Sequence, residues 1–155
     1  MHLLFVCSGN TCRSPMAKYV TKSRLTERGL PWTVDSAGLY ASLGNPMTPQ
    51  ATNALIRNHI VIDTHASKSV TDNLIAQADI ILVMTSAHRE DLLTRYPEAA
   101  GKVRQLSEFS RGASPAEGRV DIVDPFGGSD ETYEMCCAQL TAWIDALLDA
   151  LEASQ

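Results

Sequence analysis

The chain has 155 residues, of which 13 are basic and 18 acidic, so its formal net charge is −5 with neutral histidines. Hydrophobic residues make up 45% of it, which is ordinary for a globular protein, and the length favours a single domain spanning residues 1–155. The acidic balance argues against nucleic-acid binding, and no apolar run is long enough to cross a membrane.

The cysteines and the beginning of the chain predict the compartment. Only four apolar residues lie between His2 and Cys7, which is too short a run for a signal peptide. Four cysteines in a chain long enough to form a hydrophobic core do not require a disulfide framework. We therefore expect reduced thiols and a cytoplasmic protein.

The first third of the chain alternates apolar runs with helix signals. Residues 3–6 are continuously apolar, as in a strand buried on both faces, and residues 14–29 predict a helix with Ser14 as its N-cap and Gly29 as its stop. Residues 32–36 predict a second strand. Thr48 followed by proline repeats the cap signal and predicts a helix through Ile56.

The rest of the chain continues the alternation. Residues 79–84 give the clearest strand pattern, and a polar helix is predicted over residues 86–96. Residues 103–106 predict a fourth strand, and residues 107–124 have the composition of a long loop. From Ser129 onward, apolar residues at helical spacing predict a long final helix.

This order of elements predicts the fold class and the location of a site. Alternating strands and helices favour a three-layer α/β domain, with a parallel sheet flanked by helices on both faces. In such sheets, ligands bind outside the carboxyl ends of the strands. The loop over residues 7–13, after the first strand, is therefore the first place to look.

This loop has the composition of an anion-binding cradle. Cys7 ends the predicted strand, and Gly9 and Asn10 tolerate unusual backbone angles before Arg13 opens the helix. A tight loop that leads into a helix N-terminus directs several backbone N–H groups at one point. A nucleotide-binding loop of the Walker type is excluded, since no Gly-Lys-Ser/Thr follows.

The chemistry of these residues favours nucleophilic phosphoryl transfer. The N–H donors and the Arg13 charge favour the thiolate of Cys7, while the planar guanidinium can bind two phosphoryl oxygens at once. A sulfur behind the phosphorus would then form a cysteinyl-phosphate. The alternative from spacing alone is a buried structural cysteine with a surface arginine six residues later.

Departure of the leaving group requires a proton, and Asp124 is the best candidate for its donor. It follows the last predicted strand, so it can lie over the same sheet edge as Cys7, and Pro125 keeps it extended. A bound phosphoryl dianion would favour its protonated form. A structural Asp-Pro turn is the alternative reading, and Asp121 and Asp130 are competing acids.

Three motifs together resemble those of the low-molecular-weight protein tyrosine phosphatases. They are Cys-Ser-Gly-Asn-Thr-Cys-Arg-Ser-Pro-Met-Ala at 7–17, Asp-Ser-Ala-Gly at 35–38 and Asp-Pro-Phe at 124–126. The resemblance extends along nearly the whole chain. It implies a four-stranded parallel sheet, a two-step hydrolysis of phosphorylated proteins, and no metal or other cofactor. We expect a monomer or weak dimer that binds neither membranes nor nucleic acid.

The resemblance also implies a role for each residue of the motifs. Cys7 would be the nucleophile, Arg13 would bind the transition state, and Asp124 would act first as general acid and then as base. The phosphate-binding loop would consist of Ser8, Gly9, Asn10, Thr11, Cys12 and Ser14.

Five residues would have supporting roles in the family. Ser14 would donate a hydrogen bond to the Cys7 thiolate, and Asn10 would brace the loop through Ser36 and His65. Cys12 corresponds to the second loop cysteine, which can form a reversible disulfide with the nucleophile.

Two departures from the tyrosine-specific pattern bear on the substrate. Thr11 replaces an aliphatic residue, and Phe126-Gly127 replaces an aromatic pair, so both positions look more like the protein-arginine phosphatase branch. A pocket hydroxyl can bind the polar N–H groups of a phosphoguanidino group, and a missing aromatic wall weakens stacking of phosphotyrosine. We slightly favour phosphoarginine over phosphotyrosine.

Other functions are weaker interpretations. Arsenate reduction by a thiol relay needs further cysteines, and Cys136 and Cys137 lie on a predicted packed helix. A phosphate- or redox-sensing module without turnover needs neither the thiol nor the acid. A zinc site is disfavoured because adjacent helical residues diverge by about 100°. Cys137 instead fits the apolar face of that helix.

Overall fold

The computed structural model describes residues 1–110 and 120–155, and its centre is a parallel sheet of four strands in the order β2-β1-β3-β4. The strands are β1 (His2–Cys7), β2 (Thr33–Gly38), β3 (Ile80–Val83) and β4 (Val103–Gln105). The chain moves from β1 to one side through β2 and to the other through β3, so the switch point lies at β1. Cys7 is the last residue of that central strand.

Five α-helices surround the sheet in the described part of the chain. They are α1 (Arg13–Arg28), α2 (Pro49–Arg57), α3 (Asp72–Gln77), α4 (Ser86–Arg95) and α5 (Asp130–Ala153). Two short 3-10 turns, Pro97–Ala99 and Leu106–Phe109, flank β4. Among the described residues, no helix has the length and apolarity needed to cross a membrane.

The sheet is buried on both faces, which makes the domain three-layered. Leu3 and Phe5 belong to the core cluster that includes residues of α1, α2 and α5, whereas Leu4 and Val6 belong to the cluster on the opposite face. Strand residues that alternate between two apolar layers read as a continuous apolar run, as observed in β1. The predicted α/β class and parallel sheet are confirmed.

Two helical predictions need correction. Helix α1 begins at Arg13, so Ser14 is inside the helix, and its N-cap residue Cys12 makes no side-chain capping bond. Ser14 does not cap because its hydroxyl is bound to Cys7 and Asn10 instead. Helix α3 was not predicted; it has only six residues, too few to show a clear apolar period.

The remaining boundaries shift by one or two residues, as at β2, which continues to Gly38. Gly38 belongs to the strand because it pairs with Cys7 at the end of β1, and it also forms an isolated bridge with the distant Ser69. The long loop predicted over residues 107–124 lies partly outside the described residues.

Candidate active site

Carbonyl groups of the loop after β1 accept hydrogen bonds from neighbouring segments of the chain. The carbonyls of Cys7 and Ser8 accept hydrogen bonds from the backbone N–H groups of Leu39 and Tyr40, each at 2.9 Å. Thr48 N binds the carbonyl of Thr11 at 3.0 Å. Because C=O and N–H point in opposite directions in a trans peptide, the following N–H groups face away from these partners.

The loop residues line one cleft, towards which those N–H groups point. Its volume is about 280 Å³, and it is lined by Cys7, Ser8, Gly9, Asn10, Thr11, Cys12, Arg13, Asp124 and Phe126. The first N–H groups of α1 add to the donors. Met16 N is bound within the helix by the Cys12 carbonyl, whereas no side chain caps the N–H groups that come before it. Such a cradle of donors can bind an anion.

The sulfur of Cys7 lies at the base of this cradle, where it is buried. Its Sγ is 2.9 Å from Ser14 Oγ, and the Ser14 hydroxyl also accepts a hydrogen bond from Asn10 Nδ2 at 2.8 Å. The Ser14 hydroxyl can direct its own proton to the Cys7 sulfur or to the Ala37 carbonyl, which lies 3.5 Å away.

Asn10 holds the turn of the loop in a left-handed conformation, with φ of 57°. Its side-chain amide donates to Ser36 Oγ at 3.0 Å, and its Oδ1 accepts from Lys68 N at 3.1 Å. The Asn10 carbonyl accepts a hydrogen bond from His65 Nε2 at 2.8 Å. Burial lowers the pKa of His65, which keeps this ring neutral.

Gly38 lets the loop approach β2 closely. A Cβ atom at this position would lie 2.5 Å from the Ser8 carbonyl oxygen and 3.1 Å from Asn10 N, both of which are backbone atoms of the loop. Only glycine leaves room for these contacts.

Arg13 connects the loop to the segment that carries the candidate acid. The residue is 5% exposed, and its guanidinium donates from Nη1 to the Ile122 carbonyl at 2.9 Å and lies with Nη2 3.6 Å from Asp124 Oδ2. Ile122 N in turn donates to the Met84 carbonyl at the end of β3. The guanidinium is therefore held in place before any ligand binds.

Of the three candidate acids, only Asp124 lines the cleft among the described residues. Its side chain is 52% exposed, and its Oδ1 accepts a hydrogen bond from Phe126 N at 3.1 Å. Asp121 instead accepts hydrogen bonds from Ser86 N and Gln105 Nε2, so it anchors the segment to α4 and β4. Asp130 is exposed in the first turn of α5.

Cys12 faces two hydroxyl groups. Its sulfur lies 3.5 Å from both Thr48 Oγ1 and Tyr133 Oη, and the structure records Cys7 and Cys12 as free thiols. Burial and the contact with Cys12 raise the pKa of Tyr133 to about 12, so its phenol stays protonated. Tyr133 belongs to α5 and is buried.

The other two cysteines lie in the packed part of α5. Cys137 is buried in the core cluster, and burial raises the pKa of Cys136 to about 12. Within residues 1–110 and 120–155, no group of three or more His, Cys, Asp or Glu side chains is arranged to hold a metal ion.

Sequence analysis missed two groups that contact the loop from other elements. Lys68 binds Asn10 from the segment after α2, and His88 of α4 lies with its Nε2 2.8 Å from Ser8 Oγ. The signal for His88 was its position just after the carboxyl end of β3, at the sheet edge where ligands bind.

Comparison with known proteins gives consistent relatives. The family model described as "Low molecular weight phosphotyrosine protein phosphatase" matches residues 2–155. A protein-arginine-phosphatase of Bacillus subtilis is 37% identical over 98% of this chain and 97% of its own. The low molecular weight protein-tyrosine-phosphatase PtpB of Staphylococcus haemolyticus is 36% identical over 95% of this chain and 97% of its own.

Solved structures agree on the fold. The YwlE arginine phosphatase from Geobacillus stearothermophilus superimposes with a TM-score of 0.88 at 36% identity, over 99% of this chain and 94% of that one. A low molecular weight protein tyrosine phosphatase from T. tengcongensis gives a TM-score of 0.89 at 35% identity, over 97% and 99% of the two chains.

Proposed function

Because this chain belongs to the low molecular weight phosphotyrosine protein phosphatase family and is a cysteine-dependent protein phosphatase, we propose that Cys7 is its nucleophile and phosphoarginine its preferred substrate. The observation that carries the proposal is the position of the Cys7 sulfur. It lies at the base of a cleft that Arg13 and Asp124 also line. Because neighbouring segments bind the loop carbonyls on the outer side, the backbone N–H groups face the cleft.

In the first step, the Cys7 thiolate attacks phosphorus, and the bond from phosphorus to the leaving group breaks. The loop N–H groups and the Arg13 guanidinium stabilise the charge on the equatorial oxygens. Asp124 donates a proton to the leaving atom, so that arginine departs as its guanidinium and tyrosine as the neutral phenol. The exposure of Asp124 suits this role, because the leaving group is the part of the substrate that remains attached to a protein.

In the second step, Asp124 is a carboxylate and accepts a proton from water as that water attacks the cysteinyl-phosphate. The sulfur leaves as a thiolate, stabilised by the Ser14 hydroxyl at 2.9 Å, and inorganic phosphate is released. The atoms and charges balance without a further reactant.

Preference for phosphoarginine rests on Thr11 and on residues 121–126, which we call the acid segment. Thr11 lines the cleft, and its hydroxyl can bind the N–H groups of a phosphoguanidino group. Phe126 is 71% exposed, and glycine follows it, so the structure offers one aromatic side chain at this rim rather than two. Relatives named for arginine and for tyrosine phosphatase activity are nearly equally similar, which leaves phosphotyrosine as the second candidate.

Four free thiols in the described structure support the further proposal that the protein works in a reducing compartment such as the cytoplasm. An arsenate reductase with a thiol relay would need a reactive cysteine beyond the loop. The raised pKa of Cys136 and the burial of Cys137 argue against that function.

The test has two parts. First, Cys7→Ser should abolish turnover of an aryl phosphate, by about 10⁴-fold or more, because serine is not ionised at neutral pH. Cys137→Ser is the control, since that thiol is in the core, and it should retain turnover. Persistent hydrolysis by Cys7→Ser would disprove the nucleophile.

Second, kcat/KM is compared for phosphoarginine and phosphotyrosine peptides with the wild type and Thr11→Ile. We expect the wild type to prefer phosphoarginine and Thr11→Ile to shift the ratio towards phosphotyrosine by about tenfold, the equivalent of one hydrogen bond. Thr52→Ile, on α2, is the matched control. An unchanged ratio in Thr11→Ile would contradict the role given to Thr11.

A further inference from the structure

His88 is a buried titratable side chain that the proposed chemistry does not use. It belongs to the first turn of α4, where its backbone N–H is bound to the Thr85 side chain, and it is 6% exposed. Its ring reaches across to the loop after β1, with Nε2 2.8 Å from Ser8 Oγ. The contact joins residues that are 80 positions apart in the sequence.

The hydrogen bond to Ser8 satisfies one nitrogen of this ring, Nε2. The other nitrogen, Nδ1, is buried without a hydrogen-bond partner in the described part of the chain. A buried polar group with one unsatisfied atom is costly, and an apolar residue would fill this space without that cost. A specific use of the Ser8 contact would explain why an imidazole occupies this position.

The charge state of the ring follows from its surroundings. Burial, followed by the positive charge of Arg13 on α1, lowers the pKa of His88 to about 4. The carboxylates of Asp91, Asp121 and Asp124, which face the ring from α4 and the acid segment, oppose this effect without reversing it. The imidazole is therefore neutral at neutral pH and carries one N–H.

The location of that N–H determines what Ser8 does. Buried N–H groups without partners are rarer than buried acceptors without partners, so the proton belongs on Nε2 and the lone pair on Nδ1. His88 Nε2 then donates to Ser8 Oγ, and the Ser8 hydroxyl proton points elsewhere.

Ser8 lies between the two peptide planes that supply the first N–H donors of the loop. The carbonyls of both planes are held from the side of β2 by Leu39 N and Tyr40 N. His88 binds the Ser8 side chain from α4, which follows β3 on the opposite side of β1. The residue is thus fixed from two directions.

We propose that His88 is a positioning residue for phosphate binding, which acts through Ser8 to keep the Ser8 and Gly9 N–H groups aimed at the phosphoryl oxygens. The proposal rests on the function proposed above, since it assumes that this loop binds the phosphoryl group. His88 itself does not touch the substrate.

The test compares His88→Phe, which keeps a ring but has no donor, with His88→Gln, which keeps an N–H donor without a titrating ring. Inhibition of aryl phosphate hydrolysis by inorganic phosphate measures binding in the loop. We expect His88→Phe and Ser8→Ala each to weaken this inhibition by about tenfold, as for one lost hydrogen bond. His88→Gln should restore most of it.

The double variant Ser8→Ala/His88→Phe should be no worse than either single variant, because both substitutions remove the same bond. His2→Phe is the matched control. Like His88, His2 binds a side-chain hydroxyl, in this case that of Thr33, but it lies at the start of β1. Loss of the His2 ring nitrogens should leave phosphate inhibition unchanged.

Two results would overturn the inference. One is a lower melting temperature of His88→Phe with unchanged phosphate inhibition, which would make His88 a purely structural residue. The other is full additivity of the two single variants. Absence of phosphate inhibition in the wild-type protein would instead refute the proposed function, so the two failures are distinguishable.

Discussion

The loop from Cys7 to Arg13 and the segment around Asp124 meet in one cleft, but they differ in how they are held. Asn10, Cys12 and Arg13 of the loop are buried, and β2, α4 and the start of α2 all contribute hydrogen bonds to it. The acid segment is anchored through Asp121 and Ile122, whereas the residues that follow, from Val123 to Phe126, include three exposed side chains.

This difference matches what each region meets in a substrate. Every phosphorylated side chain presents the same three oxygens, so a rigid arrangement of donors serves all of them. The leaving group and the protein attached to it vary, and an exposed segment can contact them from solvent. We infer that affinity for phosphate depends on the loop, while the choice of leaving group depends on the acid segment and Thr11.

Among the variants that compare the two regions, Arg13→Lys should have the largest effect, because Arg13 belongs to the loop and contacts the segment around Asp124. Lysine keeps the charge but cannot bind two phosphoryl oxygens and the Ile122 carbonyl together. We expect kcat to fall by about 10³-fold, by comparison with arginines that stabilise transferring phosphoryl groups elsewhere. Steady-state kinetics on an aryl phosphate measure the loss, and a decrease below tenfold would mean that charge alone suffices.

Asp124→Asn should separate the contribution of the acid segment to catalysis from that of the loop. We expect kcat for a phosphoarginine peptide to fall by about 100-fold, since proton donation to the leaving group is lost. An aryl phosphate with an acidic phenol should lose less in its first step, and inhibition by inorganic phosphate should change little. Asp130→Asn is the exposed control. Equal losses in kcat and in phosphate binding would contradict the division between loop and acid.

Gly38→Ala tests how rigidly the loop is packed. The new Cβ would press on the Ser8 carbonyl and on Asn10 N, so the loop must shift. We expect about a tenfold decrease in kcat/KM and a loss of about 2 kcal/mol in unfolding free energy. Gly101→Ala, where a Cβ meets no heavy atom within 4 Å, is the control. Wild-type activity would show that the loop adapts.

The smallest effect concerns the buried histidines that support the loop. Burial lowers the pKa of both His65 and His88, so between pH 6.5 and the lower folded values the unfolded chain binds more protons. Their contribution to stability is complete above about pH 6.5 and is lost as the pH falls below it. We expect wild-type unfolding free energy to fall between pH 7 and 5.

The measurement is the difference between the wild type and His88→Gln in urea unfolding across that range. The wild type should lose on the order of 1 kcal/mol more than the variant, because glutamine does not titrate. Parallel pH profiles would contradict the lowered pKa of His88.

The sequence was informative where the chemistry is local. Cys7, Asn10 and Arg13 lie within one short loop, and Gly29 follows α1 as its predicted stop, where the structure shows a left-handed conformation. Asp124 could be proposed as the acid because the first and the last predicted strands of a parallel sheet end at the same edge. The sequence could not show which of three acids lies in the cleft, since that depends on how Ile122 docks against Arg13 and Met84.

Contacts between distant residues were beyond the reach of sequence patterns. The register of β1 against β2 and β3 brings Lys68 and His88 to the loop, and neither residue has a periodic signal. Ser14 was misread for a related reason. Its Ser-Pro pair is typical of a helix start, but burial beside Cys7 and Asn10 gives its hydroxyl other partners.

The inward N–H groups of the cleft belong to the main chain, and their orientation is set by what binds the carbonyls behind them. A mutation at Thr11 therefore changes a wall of the cleft while the donors for phosphate stay where Leu39, Tyr40 and Thr48 place them. Substitution at this position can therefore alter the side-chain wall that meets the phosphorylated amino acid without rebuilding the main chain behind it.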